Sequence, residues 1–125
     1  MKLEKPDPRI GAIATEVDVR ALSDADWKAL YGAWLDGIVL VVRGQTLSME
    51  EFLAYSRRFG RLKPHRVKKT RHVQYPELTV MGLGTRKPDG QVDPAIYNRE
   101  IVAGVRQESH VAQPSAGVML EAVQP

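Results

Sequence analysis

A chain of 125 residues is long enough for one domain with a modest core, and its 43% apolar and 26% charged content is ordinary for a globular protein. It has no cysteine, which excludes disulfides, thiolate zinc sites and cysteine nucleophiles. No apolar run approaches the roughly 20 residues of a membrane-spanning helix, and residues 1–6 lack the apolar segment of a signal peptide. We therefore expect a cytoplasmic protein with no membrane partner.

The first third of the chain predicts a strand followed by an amphipathic helix. Partial alternation of apolar residues over 10–19 favours a strand or hairpin. Ser23 is a helix-capping residue, and Asp26 three positions later completes an acidic form of the capping box. Gly37 is expected to end the helix in the left-handed conformation. The positions expected to face the core, at spacings of three and four, are Trp27, Leu30, Tyr31, Trp34 and Leu35.

A second strand and a second helix are predicted next. Residues 38–42 form a continuous, largely β-branched run, which is typical of a strand covered on both faces. After a short turn, Ser48 and Glu51 have the spacing of a capping box. Gly60 is expected to end the helix that they open. The aromatic residues that this helix places on one apolar side are Phe52, Tyr55 and Phe59.

The second half of the chain gives fewer signals. Residues 78–83 and 118–123 have the composition of strands, and residues 84–90 predict a turn or flexible loop. Residues 91–113 show no clear periodicity. There is no internal repeat.

Basic residues are concentrated between positions 57 and 71, a stretch without an acid that is predicted to form a loop from residue 61 onward. Such a stretch can meet phosphate, sulfonate or carboxylate groups. The alternative is a solvated loop whose charge is balanced by acids elsewhere. The basic residues are Arg57, Arg58, Arg61, Lys63, Arg66, Lys68, Lys69 and Arg71.

The order of these elements resembles the amino-terminal portion of the TauD/TfdA (taurine dioxygenase-like) family. The resemblance covers residues 10–83 and returns over residues 114–125. The segments that carry it are Ile10-Gly-Ala with Val17-Asp18, Leu22-Ser-Asp, Ile38-Val-Leu-Val-Val-Arg43, Arg58-Phe-Gly-Arg-Leu62 and the stretch from Pro114 to Pro125.

The resemblance implies an α+β fold and a class of substrate. The fold would be a partial double-stranded β-helix, a jelly-roll-like sheet with two amino-terminal helices, in a single, apparently truncated domain over residues 1–125. Family enzymes use Fe(II) and 2-oxoglutarate to oxidise small anionic substrates such as sulfonates or aryloxyacetates. His65 falls where sulfonate-oxidising members carry a histidine that contacts the substrate anion, and Lys68 replaces a nearby tyrosine. Lys68 could still pair with an anion. The alternative for His65 is that it is a solvated histidine of the loop.

The resemblance also indicates that the iron ligands are missing. The family carries a Trp-His-x-Asp motif before the strand that matches residues 114–125, and Val105 and Gln107 occupy the two ligand positions in an ungapped alignment. Valine has no lone pair for a metal, and glutamine offers only a neutral carbonyl. His110 is the nearest candidate ligand, but no carboxylate follows it at the required spacing. The family's second iron histidine and its 2-oxoglutarate arginine are expected beyond residue 125, so we expect no catalytic residue and no bound Fe(II) or 2-oxoglutarate.

Three functions remain open at this point. The first is a truncated dioxygenase relative, an oxidoreductase by family, that is inactive alone. The second is a non-catalytic binding or assembly module that associates with itself or with a full-length relative through exposed sheet edges. The third is anion or nucleic-acid binding through the basic loop, which would weaken steeply with salt. This third function ranks last, because a basic loop near the family's substrate entrance has a simpler explanation. Tyr55 and Phe59 are also expected on an apolar helix side rather than on a stacking surface.

Overall fold

The computed structural model describes residues 1–64, 68, 71–79 and 115–121. Its contacts divide the chain into two units, Met1–Gly60 and Arg61–Pro125. The first unit is an α+β structure, as predicted, with two helices beside a small sheet. Its elements in chain order are β1 (Lys2–Glu4), β2 (Ala12–Thr15), a 3-10 turn (Val19–Ala21), α1 (Asp24–Gly37), β3 (Leu40–Val42) and α2 (Met49–Arg57).

The sheet of the first unit is mixed and has the strand order β1-β2-β3. β1 runs antiparallel to β2 with Leu3 opposite Ala14, and β3 runs parallel to β2 with Val42 opposite the same alanine. Because parallel neighbours cannot be joined by a tight hairpin, α1 serves as the crossover between β2 and β3. β1 was not predicted, since its three residues are all exposed and show no apolar alternation.

Helix α1 begins where its sequence signal predicted. The Ser23 hydroxyl oxygen accepts a hydrogen bond from the Asp26 backbone N–H at 3.1 Å and donates one to the Asp26 carboxylate at 2.8 Å. This cap uses one of the amide groups that a helix start leaves unpaired. Ser23 is therefore confirmed as the helix cap, but the predicted capping box with Asp26 is wrong, because the Asp26 carboxylate accepts from the Ser23 hydroxyl and not from the Ser23 backbone N–H.

The end of α1 differs from the prediction at Gly37. Gly37 is the last helical residue, and the positive φ of 66° falls on Ile38 instead. The Ile38 N–H donates to the Trp34 carbonyl at 2.8 Å, and the Val39 N–H donates to the Gly37 carbonyl at 2.7 Å, which closes a tight turn around Ile38. Glycine is needed at position 37 for space, because a Cβ there would lie 3.3 Å from the Gly11 carbonyl carbon.

The apolar side of α1 is divided between burial and exposure. Leu30 is fully buried, whereas Leu35 is 59% exposed, so the prediction that Leu35 faces the core is wrong. Trp27, Tyr31 and Trp34 are half-buried. Helical spacing places Leu35 at the margin of the apolar stripe, where the small sheet does not cover it.

Strand β3 is shorter and less covered than its sequence predicted. Val39 is 46% exposed and Val41 is 45% exposed, so burial on both faces is wrong for this strand. The following helix is as expected: the Glu51 N–H donates to the Ser48 hydroxyl at 3.2 Å, and the Ser48 N–H donates to the Glu51 carboxylate at 2.8 Å. Gly60, with a φ of 138°, lies just after the end of α2, as predicted.

The described part of the second unit contains one tight turn. An isolated antiparallel bridge pairs Arg71 with Thr79, and the His72 N–H donates to the Leu78 carbonyl at 2.8 Å. Thr79 thus has strand-like pairing within the predicted strand 78–83, whose remaining residues lie outside the described ranges. Residues 118–121 form no strand, so the strand predicted there is wrong over these positions. The loop predicted at 84–90 also falls outside the described residues.

Candidate substrate-binding site

A cluster of aromatic rings fixes the start of the basic stretch against α1. Phe59 is its centre: its ring centroid lies 4.8 Å from that of Trp27 and 5.3 Å from that of Trp34. The Tyr55 ring meets Phe59 edge-on at 5.4 Å. Such edge-to-face contacts add to the stabilisation from apolar burial. Tyr55 is buried and Phe59 is half-buried, which confirms that they pack inside the unit rather than form an open stacking surface.

Arg58 is the first basic residue whose role the structure defines. Its guanidinium carbon lies 4.7 Å from the centroid of the Trp27 ring, within cation–π range. Burial raises the pKa of the Tyr55 phenol above its usual value, and the positive charge of Arg58 opposes that rise. Arg58 therefore stabilises the packing of the helices, while Arg61 and Lys63 further along are exposed.

The two predicted substrate-binding residues are only partly described. Lys68 is exposed, and its backbone carbonyl accepts a hydrogen bond from the Arg71 N–H at 3.2 Å. His65 lies outside the described residues, so its role stays a prediction. The backbone hydrogen bond places Lys68 and Arg71 at the two ends of one turn.

His72 is a residue to which sequence reasoning gave no role in substrate binding. Its ring Nδ1 accepts hydrogen bonds from the backbone N–H groups of Gln74 and Tyr75, both at 3.2 Å. Its ring also stacks on that of Tyr75, with the centroids 5.4 Å apart and the planes 26° from parallel. In the sequence, only the spacing of three residues between this histidine and Tyr75 could have indicated the stacking, and such a spacing alone is a weak indication.

Gln45 is a second residue that sequence reasoning missed, and it joins two connections of the first unit. Its amide nitrogen donates to the Val17 carbonyl at 2.7 Å and to the Arg43 carbonyl at 2.9 Å, while its amide oxygen accepts from the Val19 N–H at 3.1 Å. The side chain thus pairs three backbone groups that the strands do not. Its role is structural, because none of these groups belongs to the basic stretch.

No donor set for iron is formed by the residues that the structure describes. Among them, no three histidine, cysteine, aspartate or glutamate side chains come together. Val105, Gln107 and His110 lie outside the described ranges, so the expected loss of both ligands and the candidacy of His110 remain predictions. The described donors do not fit a metal centre, and we derive no reaction step through one.

No helix in the described parts of the chain is both long and apolar enough to cross a membrane.

Comparison with known proteins identifies the class. The family described as "Taurine catabolism dioxygenase TauD, TfdA family" matches residues 2–122. The chain therefore belongs to the TauD/TfdA family, as the ordered segments of its sequence indicated.

Two curated relatives share a name that includes their reaction type. An (S)-phenoxypropionate/alpha-ketoglutarate-dioxygenase of Sphingobium herbicidovorans is 42% identical over 86 residues, which cover 69% of this chain and 25% of the relative. A protein of the same name from Delftia acidovorans is 37% identical over 54 residues, covering 43% of this chain and 18% of the relative. The chain thus spans about a quarter or less of the length of these relatives.

Proposed function

We propose that this chain is the substrate-binding, amino-terminal part of an Fe(II)/2-oxoglutarate dioxygenase domain, and that it is inactive alone. The observation that carries this proposal is the 42% identity to a dioxygenase named for phenoxypropionate. The substrate would be a small aromatic ether that bears a carboxylate. We place the chain in the cytoplasm, as part of one domain to which it contributes strands of a jelly roll.

The charges of the basic stretch support an anionic substrate. Arg58 is committed to Trp27, but Lys68 is exposed on a turn that continues into Arg71 and His72. An ammonium group in such a position attracts a carboxylate, although solvent weakens the pair. We assign Lys68 and His65 to the substrate anion.

The inactivity of the chain follows from its donor atoms. The positions expected to hold the family's iron-binding histidine and carboxylate carry Val105 and Gln107. Neither side chain replaces imidazole or carboxylate around ferrous ion. Fe(II) and 2-oxoglutarate would therefore bind a full-length relative, and this chain would hold neither.

The experiment separates substrate binding from metal binding. We expect 2-phenoxypropionate to bind the purified chain in calorimetry, with no charge-transfer absorbance when Fe(II) and 2-oxoglutarate are added without oxygen. Lys68→Gln should weaken binding of 2-phenoxypropionate about 3-fold at low salt, the scale of a solvent-exposed ion pair. Lys28→Gln, at an exposed position of α1, is the matched control and should leave the affinity unchanged. Stoichiometric iron binding with oxygen consumption would contradict the proposed inactivity.

A second candidate function, assembly with another chain, is favoured by the exposed apolar residues at the α1–β3 junction. Leu35 is 59% exposed, Ile38 is 69% exposed, and Val39 and Val41, which follow in the chain, are 46% and 45% exposed. Exposed apolar patches of this kind mark association surfaces. Light scattering at increasing protein concentration tests this function, and a constant monomer mass up to high concentration would argue against self-association.

A further inference from the structure

We propose that His72 binds the carboxylate of the substrate through its Nε2–H, with the imidazole held in one tautomer by the turn that surrounds it. This inference rests on the proposed function and adds a residue to the site. It begins from the hydrogen bonds that the ring already makes on its other nitrogen.

The tautomer of His72 follows from its two backbone partners. The N–H groups of Gln74 and Tyr75 both point at Nδ1, at 3.2 Å each, so Nδ1 uses its lone pair as the acceptor. A neutral imidazole has one acceptor nitrogen and one N–H, and the bond made by one nitrogen fixes the state of the other. The proton of the neutral ring therefore lies on Nε2.

The direction of the ring is also fixed. Stacking on Tyr75 at 5.4 Å limits rotation about the side-chain bonds, and the backbone bond from His72 to Leu78 holds the turn at its base. His72 is half-buried, while Val73 beside it is fully exposed. A donor that is already held in place loses little conformational entropy when it binds a ligand.

The charge around the turn selects the kind of ligand. In the sequence from residue 61 to 79 the only acid is Glu77, against six lysine and arginine residues in the same stretch. Lys68 lies one turn before His72, because its carbonyl accepts the Arg71 N–H at 3.2 Å. An N–H donor in a positive field favours a carboxylate over a neutral acceptor, since hydrogen bonds to ionised groups are the stronger ones.

The test uses the whole chain, 2-phenoxypropionate and a variant that keeps the turn. In His72→Asn, the amide oxygen can accept from the N–H two residues on, as Nδ1 does, but the Nε2–H donor is removed. We expect the affinity for 2-phenoxypropionate to fall about 10-fold, the scale of a hydrogen bond to a charged group. The neutral amide of the same acid should bind both proteins weakly and equally.

Nitrogen NMR of the wild-type imidazole gives a second measurement that needs no substitution. The Nε2 resonance should show a bonded proton and shift during titration with 2-phenoxypropionate, while Nδ1 remains an unprotonated acceptor. If 2-phenoxypropionate binds but Nε2 does not respond, or His72→Asn binds with wild-type affinity, the role of His72 is overturned and the proposed function stands. If the wild-type chain does not bind 2-phenoxypropionate at all, both are overturned.

Discussion

The first sixty residues and the described part of the remaining chain are built on different kinds of contact. In the first unit, segments distant in sequence meet, as where Gln45 bonds Val17 and Val19 and where β3 pairs with β2. In the second unit, the described hydrogen bonds join residues within one turn, such as His72 with Leu78. Every buried apolar side chain among the described residues belongs to the first unit.

This difference separates the part that stabilises from the part that is proposed to bind. The aromatic cluster around Phe59 and the fully buried Leu30 both remove apolar surface from water, which is the main source of folding free energy. Lys68 is exposed and His72 is half-buried, and neither belongs to the buried apolar core, so we expect substitutions there to change binding more than stability. Both tryptophans, Trp27 and Trp34, lie in the first unit, so tryptophan fluorescence reports the unfolding of that unit alone.

The largest effect is expected from Leu30→Ala, which tests whether the first unit depends on one core. Leu30 is fully buried, so the loss of its side chain should lower the free energy of unfolding by about 2–5 kcal/mol through lost burial and a residual cavity. Leu35→Ala in the same helix is the matched control, because that side chain is 59% exposed. We expect the control to change stability by less than about 0.5 kcal/mol in urea unfolding followed by fluorescence. Equal effects would contradict the burial of Leu30.

Two glycine-to-alanine substitutions in α1 should change the free energy of unfolding in opposite directions. At Gly37 a new Cβ would meet the backbone of Gly11 at 3.3 Å and disturb the Gly11 N–H to Gly37 carbonyl bond of 2.9 Å. Gly37→Ala should therefore destabilise the first unit by about 1–3 kcal/mol. At Gly32 a Cβ would meet nothing within 4 Å, so Gly32→Ala should stabilise by about 0.5–1 kcal/mol through higher helix propensity. The same urea experiment measures both, and a stabilising Gly37→Ala would refute the close approach.

These contrasts also show which features could be predicted from the sequence. The caps at Ser23 and Ser48 were found because a cap depends on residues three positions apart. The membership of Tyr55 and Phe59 in the packed cluster was found because helical spacing places them together. The family followed from the order of the segments, and the α+β fold class followed from the resemblance to that family.

The features that were missed depend on contacts distant in sequence or on the extent of the sheet. Gly37 lies against the backbone of Gly11, and the positive φ falls on Ile38 instead; no local pattern reveals this long-range contact. The exposure of Val41 depends on how far the sheet extends, and a β-branched run alone does not encode it. His72 was given no role in substrate binding, because its two backbone partners appear only once the turn is formed.

A smaller effect on stability is expected from changing Gln45. Its side chain bonds segments of the first unit that are distant in sequence, so its substitution tests whether these long-range bonds stabilise the unit. Gln45→Glu keeps the shape but replaces the amide donor, so the Val17 and Arg43 carbonyls at 2.7 Å and 2.9 Å would face a carboxylate oxygen. We expect a loss of about 1–2 kcal/mol in the unfolding free energy at neutral pH, from two unpaired carbonyls. Gln74→Glu, at an exposed position of the second unit, is the control and should leave the fluorescence transition in place. An unchanged transition in Gln45→Glu would show that these bonds do not stabilise the unit.

The smallest effect is expected for the surface ion pair of Asp18 and Arg20 in the first unit. Like the contacts around His72, this pair joins residues close in sequence. Hydrogen bonds from the Arg20 side chain, and secondarily from its backbone N–H, lower the pKa of the Asp18 carboxyl to about 2. A lowered folded-state pKa means that any stabilisation is present above about pH 4, where the unfolded carboxyl is ionised, and is lost as the pH falls through about 2. In Arg20→Gln the Asp18 pKa should rise but stay below its ordinary value, because a backbone donor remains, as a carboxyl-carbon NMR titration would measure. Arg9→Gln, which removes the separate Asp7 pair, should leave Asp18 unchanged, and a similar shift in both variants would mean that net charge rather than the Arg20 contact sets the pKa.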